Sequence, residues 1–332
     1  MIQYDRITLG RQAKELGFVR DTFEKVCRLA DVLAFMEQDV VLKNSLALKG
    51  GTAINLTIFN LPRLSVDIDL DFADALTRVE MLEKRRDITE RIEKYMRARG
   101  YTLSGRSKYH YALDSFVYEY QNAGGMRDNL KIEINYMLRC HILDLSRREV
   151  KLPWLNQELT VLCVDPVEIF ASKIVALMNR AAPRDLYDFH NMIRFGLFDE
   201  KKLELLRKSV VYYSAIGSDE IPTSFSFDSI RAITQNRIKT DLLPVLRNSR
   251  FFDVKAAQDE CINCLTQLLD LTGREYGFLC SFKKKQYQPA LLFDDADILS
   301  RISRNFMVEW KFRDKTQKDK LRPTKHKNET ER

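Results

Sequence analysis

Three aspartates stand at alternate positions in Ser65-Val66-Asp67-Ile68-Asp69-Leu70-Asp71-Phe72. Strict polar–apolar alternation predicts a strand with Asp67, Asp69 and Asp71 on one face and Val66, Ile68, Leu70 and Phe72 on the core face. Carboxylates this close repel one another when partly desolvated, and a divalent cation with oxygen ligands offsets that best. Asp67 and Asp69 are the better pair, since Asp71 lies further along the strand. Holding two ions close together, as phosphoryl chemistry often requires, calls for a third carboxylate. Glu133, in the alternating stretch Asn129 to Tyr136, supplies it. The expected metal ligands are therefore Asp67, Asp69 and Glu133, holding Mg2+ or Mn2+.

Just upstream, Lys49-Gly50-Gly51-Thr52 falls where a short apolar strand runs into a helix. Glycines there let a phosphate approach the backbone, the helix N-terminus favours an anion, and Thr52 can add a hydroxyl. Strand, Gly-Gly-Thr, short helix and Asp-x-Asp strand, in that order, make the layout of a nucleotidyltransferase site. Rival motifs fail. A P-loop needs Gly-Lys-Ser/Thr, whereas Ala53 and Ile54 follow Thr52; an EF-hand loop from Asp67 would need Gly and Glu where Phe72 and Arg78 stand. Cations come later in the chain. Lys173 and Arg180 are seven residues apart and share a helix face. Lys173 is expected to meet nucleotide phosphates as a point charge, with Asp185 or Asp188 orienting Lys173 or Arg180, or positioning the attacking hydroxyl. Cys261-x-x-Cys264 lacks a second ligand pair for zinc, and Tyr109, Tyr111, Tyr118 and Tyr120 read as strand packing rather than base stacking.

The elements that must hold these residues are legible from periodicity. Residues 11–38 are helical, with Asp21-Thr22 a cap for a second helix inside the stretch. Thr77 to Arg99 is an amphipathic helix stopped by Gly100. Residues 108–120 and 129–138 are strands joined by a turn at 121–125, and Leu159 to Val164 is one more. Asp165-Pro166-Val167-Glu168 is a helix start with cap, Pro at the first position and Glu three residues after the cap. From there the pattern is helical over 167–181, 184–195, 200–210, 225–238, 254–271 and 293–307. The expected architecture is an α/β domain with a mixed sheet over 1–165, a mostly helical domain over 166–310 and a flexible basic tail over 311–332. That tail holds nine Lys/Arg against four Asp/Glu, most of the formal charge of +7. It is suited to attracting nucleic acid. No run of eighteen apolar residues spans a membrane. No signal-peptide core is visible at the start, and the six scattered cysteines suit a reducing cytoplasm.

Leu48-Lys49-Gly50-Gly51-Thr52-Ala53-Ile54-Asn55 followed by Arg63-Leu64-Ser65-Val66-Asp67-Ile68-Asp69-Leu70 resembles the AbiEii/AbiGii toxin family of nucleotidyltransferases. Ser172-Lys173 to Arg180 and Arg184-Asp185-Leu186-Tyr187-Asp188 are similar to the family's later motifs. Ile54, where many members carry leucine, is a conservative departure. The resemblance implies a polymerase-β-like nucleotidyltransferase fold, the toxin half of a toxin–antitoxin or phage-defence pair, and a cognate antitoxin. Some members transfer nucleotides to the acceptor ends of tRNA. By position, Ser65 and Asp67 match the metal motif's Ser-x-Asp, and Lys173, Asp185 and Asp188 match the later ones. The expected reaction is attack by an RNA 3′-hydroxyl, most readily a tRNA end, on the α-phosphate of an NTP. Gly50, Gly51, Thr52, Ser65, Lys173 and Arg180 would bind the nucleotide; Asp67, Asp69, Glu133, Lys173, Asp185 and Asp188 would carry catalysis. Two alternatives stand: transfer to a protein hydroxyl of a partner or of the chain itself, at Ser65, and a non-catalytic binding module on the same fold.

Overall fold

The computed structural model describes residues 4–154, 158–218, 220–248 and 251–313; most of the basic tail, 314–332, lies outside them. The chain opens with α1 (Arg6–Leu16) and α2 (Arg20–Gln38), separated by Gly17 in the left-handed region at φ 77°. The second helix starts behind Val19 without a side-chain cap, not at Asp21. Then come α3 (Val40–Ser45), β1 (Leu46–Lys49), α4 (Gly50–Ala53) and a π-helical turn at Ile54–Ile58. Next are β2 (Asp67–Phe72) and α5 (Arg78–Ala98), the latter opened by a reciprocal Thr77–Glu80 cap and closed before Gly100 at φ 82°.

The sheet is completed by β3 (Thr102–Leu103), β4 (Lys108–Tyr109), β5 (Leu113–Gln121), β6 (Arg127–Asn135), β7 (Ser146–Glu149) and β8 (Thr160–Cys163). The single strand expected over 108–120 is broken. Its first part folds back on the second, with Lys108 opposite Ser115. Strand order is β3-β5-β6-β2-β1-β8-β7, with β4 also on β5; β2 runs parallel to β6 and antiparallel to β1, and β8 parallel to β1, so the sheet is mixed. Register sets the chemistry. Asp69 lies between Lys49 on β1 and Glu133 on β6, and Asp67 lies opposite Lys131. Ile68, Leu70, Ile132 and Ile134 point the other way and are buried.

After Asp165, whose carboxylate accepts from Val167 N at 2.8 Å, the described chain is helical: α6 (Pro166–Arg180), α7 (Pro183–Arg194), α8 (Glu200–Gly217), α9 (Asp228–Arg231), α10 (Gln235–Asp241), α11 (Val254–Leu268), α12 (Gly273–Lys283), α13 (Ala296–Ile302) and α14 (Phe306–Phe312). Two expected helices are each split by a polar cap. Thr234 starts α10 inside 225–238, and Asn305 starts α14 inside 293–307, accepting from Met307 N at 2.9 Å. That last helix runs past 310 into the expected tail. Glu168 does not complete a capping box. It is buried and accepts instead from Ile142 N at 3.0 Å and Leu143 N at 2.7 Å, in the loop between β6 and β7. Buried apolar residues of the sheet and the helices form one continuous core.

Candidate active site

Gly50 and Gly51 turn the chain from β1 into α4, and both are required by close packing. Gly50 has φ 67°, and a Cβ there would lie 2.5 Å from Asp69 Oδ2. A Cβ on Gly51 would lie 2.7 Å from Arg63 Nη2. The start of α4 has no side-chain cap, so its first amides are free to meet an anion. Thr52 is fully buried. Its hydroxyl donates to the Asp67 carbonyl and lies 2.9 Å from Ser65 Oγ, so it pins the turn to the start of β2.

Six acidic side chains on β2, β6 and α7, namely Asp67, Asp69, Asp71, Glu133, Asp185 and Asp188, divide into paired and unpaired. Asp71 is paired with Lys49 and buried, and it lines the same cavity as Asp69. Glu133 is paired with Lys131 at 2.9 Å. Asp185 accepts from Lys173 Nζ at 2.9 Å and Arg180 Nε at 2.9 Å. Asp188 takes a two-pronged grip from Arg63, Nε to Oδ1 at 2.7 Å and Nη2 to Oδ2 at 2.6 Å, with Lys173 Nζ 3.1 Å from Oδ2. Asp67 and Asp69 make no ion pair among the described residues. Burial pushes both carboxyls up, only partly countered by Lys131 and Arg184 at Asp67 and by Lys49 at Asp69, and each is further raised by Glu133. Among the described residues no three His, Cys, Asp or Glu side chains converge into a ready-made metal cage. Two unpaired, desolvated carboxylates with hard oxygens still suit Mg2+, which is commonly held by one or two carboxylates together with substrate phosphates.

Beside Asp69 opens a cavity of about 270 Å3 between the ends of β1 and β8 and the face of α6. Lys49, Gly50, Ser172, Lys173, Arg180 and Glu168 are among its lining. Lys173 opens on it while being buried: desolvation opposes its charge, but Asp185 and Asp188 more than offset that and hold the ammonium above its usual range. Both acids are in turn held below the carboxylate range, against their own burial, by Lys173 at Asp185 and by Arg63 and Lys173 at Asp188. Three cations, Arg63, Lys173 and Arg180, thus face two carboxylates. The excess of one positive charge sits at the cavity wall.

The structure therefore brings Gly50, Asp69, Lys173 and Arg180 to one cavity, with Asp67 and Glu133 next to it on the same sheet face. Asp185 and Asp188 are behind Lys173 and orient it. Sequence reasoning gave no role to Arg63, Lys49, Lys131 or Arg184. Arg63 is almost wholly buried, and its partner lies 125 residues away, so no local spacing could reveal the pair. The tyrosines are packing residues in part: Tyr111 stacks on Trp310 and Tyr120 lies under Arg28.

A mixed sheet carrying a glycine turn and paired aspartates beside a cationic helix defines a nucleotidyltransferase-type site, and the fold agrees. The chain is similar to MenT4, a nucleotidyltransferase toxin from Mycobacterium tuberculosis H37Rv, with TM-score 0.61, 18% identity, 90% of this chain covered and 98% of that one. Residues 34–259 match the family model of the nucleotidyl transferase AbiEii toxin of type IV toxin–antitoxin systems, and the chain belongs to that family. No curated protein matches it. Membership of that family implies a nucleoside triphosphate as substrate and an antitoxin as partner. No described helix is long and apolar enough to cross a membrane.

Proposed function

We propose that this toxin transfers a nucleotide from an NTP to the 3′-hydroxyl of an RNA, a tRNA end being the favoured acceptor, in a metal-dependent reaction. The observation that carries the reading is the unpaired state of Asp67 and Asp69. Asp71, Glu133, Asp185 and Asp188 each have a cationic partner, and these two, partly buried and pushed up by desolvation and by Glu133, do not. A divalent ion held by them, with Glu133 in reach on the next strand, would offset triphosphate charge and favour the ionised acceptor hydroxyl.

The chain's own groups then divide the work. The first amides of α4, freed by Gly50 and Gly51, receive the β- and γ-phosphates. Lys173 and Arg180 lend the excess positive charge to the phosphates from the α6 side, where charge grows as pyrophosphate departs. Asp185 and Asp188 keep Lys173 protonated and aimed. Thr52 and Ser65 hold the turn against β2. Transfer to the chain's own Ser65 is less favoured, since that side chain is buried against the Thr52 hydroxyl.

The test is incubation of purified protein with Mg2+, each labelled NTP in turn and total bacterial RNA, followed by a denaturing gel. Label on a tRNA-sized band, lost in Asp67→Asn, is expected. Full activity in that variant would remove the site assignment, and label on protein alone would replace RNA by a protein hydroxyl as acceptor.

A further inference from the structure

The ionic groups around the carboxylates sort by side. Across the sheet the order is β6, β2, β1, β8, and the cavity lies on the β1 and β8 side of Asp69. Neither Asp67 nor Arg184 lines it. Arg184, in the first turn of α7, is instead close enough to Asp67 for each to act on the other's charge.

Arg184 differs from the other arginines of the site. Arg63 and Arg180 are each paired with a carboxylate; Arg184 makes no ion pair among the described residues. Its Nε donates to the main-chain carbonyl of Asp241 at 2.7 Å. A carbonyl aims a guanidinium without neutralising it, and burial already works against its charge. The Asp241 carboxylate does not close the gap. It accepts from the Thr240 hydroxyl at 2.9 Å and lies 3.9 Å from Arg237 Nε. Arg237 is 43% exposed, so two arginines share one anchor residue, one within electrostatic reach of Asp67 and one further out. A planar fork aimed but not neutralised is suited to a phosphate.

We propose that Arg184, backed by Arg237, grips the phosphodiester backbone of the acceptor RNA just short of its reactive 3′ end, on the Asp67 side and away from the nucleotide cavity. The inference rests on the reading of the chain as an RNA nucleotidyltransferase. A triphosphate has the glycine turn, Lys173 and Arg180 for its charge. An RNA whose terminal hydroxyl reaches the carboxylates must place its preceding phosphate beside them, and Arg184 is the cation there that lacks a carboxylate partner.

The test uses the full chain, 5′-fluorescent bulk tRNA titrated at 50 and 200 mM salt, and a separate NTP saturation curve. Removing one phosphate contact lowers the salt slope by about one ion, so between those salts wild type loses about threefold more affinity than Arg184→Gln. The NTP KM is expected to stay at the wild-type value, and Arg184→Lys to keep the wild-type slope with weaker binding. An unchanged slope in Arg184→Gln, or a raised NTP KM with tRNA affinity untouched, overturns the proposal. Should Arg184→Gln fail to fold by circular dichroism, the exposed Arg237→Gln carries the same slope test, and an unchanged slope there is equally fatal. Wild-type protein that binds no tRNA overturns the grip. Wild-type protein that binds tRNA with this salt pattern yet labels no RNA overturns the transfer reading and leaves the grip standing.

Discussion

The fork between Arg63 and Asp188 makes the sharpest energetic prediction. Arg63→Gln removes two charge-assisted hydrogen bonds, at 2.6 and 2.7 Å, from a carboxylate with no exposed surface. Each such bond contributes roughly 1.5–3 kcal/mol, and breaking one side of a buried pair costs about 3–5 kcal/mol because the other charge stays buried. For a chain of this size about 4 kcal/mol corresponds to a melting point lower by on the order of 8 °C. Lys173, 3.1 Å from Asp188, is the cation left to that acid, and the cluster's net charge falls from plus one to zero. NTP affinity is therefore expected to drop along with stability. The double variant Arg63→Gln, Asp188→Asn removes both charges and restores the excess of one, with Lys173 and Arg180 against Asp185. Thermal melts of the four proteins give the coupling, and nucleotide binding by fluorescence gives the charge effect. The expected double variant is more stable than the sum of the singles by about 3 kcal/mol and recovers part of the NTP affinity. Additive losses, or a single substitution costing under about 1 kcal/mol, would refute the picture of a compact charge cluster and leave a loose surface-like pair instead.

Two further outcomes follow from the carboxylates and the turn. Because the Asp69 pKa is raised in the folded state, its ionised form costs stability once pH has risen through that raised value, and the cost vanishes below the unfolded value. Asp69→Asn should therefore melt higher than wild type in EDTA at pH 8, with the gap closing on acidification, while losing transfer activity; a lower melt at pH 8 would contradict the assigned burial and repulsion. Gly50→Ala meets φ 67° and a 2.5 Å approach to Asp69 Oδ2, so a loss of about 1–3 kcal/mol in a chemical-denaturation curve and near-complete loss of transfer are expected, whereas wild-type activity would show that the turn can relax.

Which parts of this were readable in the residues depends on how local their cause is. The Asp-x-Asp strand, the glycine turn and the Asp165-Pro166 helix start are set by alternation, φ requirements and capping within a few positions, and the structure has all three. The sheet neighbours of Asp69 were half legible: Glu133 belonged to an alternating strand, but its register opposite Asp69 needs the β5–β6 hairpin and the parallel pairing of β6 on β2. Lys173 was expected to meet a phosphate, with Asp185 or Asp188 orienting it or Arg180, and both acids do pair with it. Its burial between Asp185 and Asp188 arises from α6 packing on α7, and a helix face drawn from sequence does not say what covers it. Glu168 matched a capping box in spacing alone, and its carboxylate is taken instead by the Ile142 and Leu143 amides of the β6–β7 loop.

What distinguishes Asp67, Asp69 and Arg184 is the ion pairing that the fold withholds from them. Lys49 is spent on Asp71, Lys131 on Glu133, and Arg63 on Asp188. A chain selected only for stability would gain by pairing or replacing Asp67 and Asp69, since desolvation and the neighbouring carboxylates raise both and their ionised forms oppose folding. It would equally gain by giving Arg184 a carboxylate in place of a carbonyl. Leaving two anions and one cation uncompensated within reach of each other concentrates the cost at one place, and that place adjoins a cavity walled by a cation excess. A ligand that is polyanionic along its length and brings cations to one end of its charge satisfies all three at once. A nucleoside triphosphate with a divalent ion, meeting a phosphodiester chain, has that distribution; a neutral metabolite or an apolar peptide would leave every one of these groups as it stands.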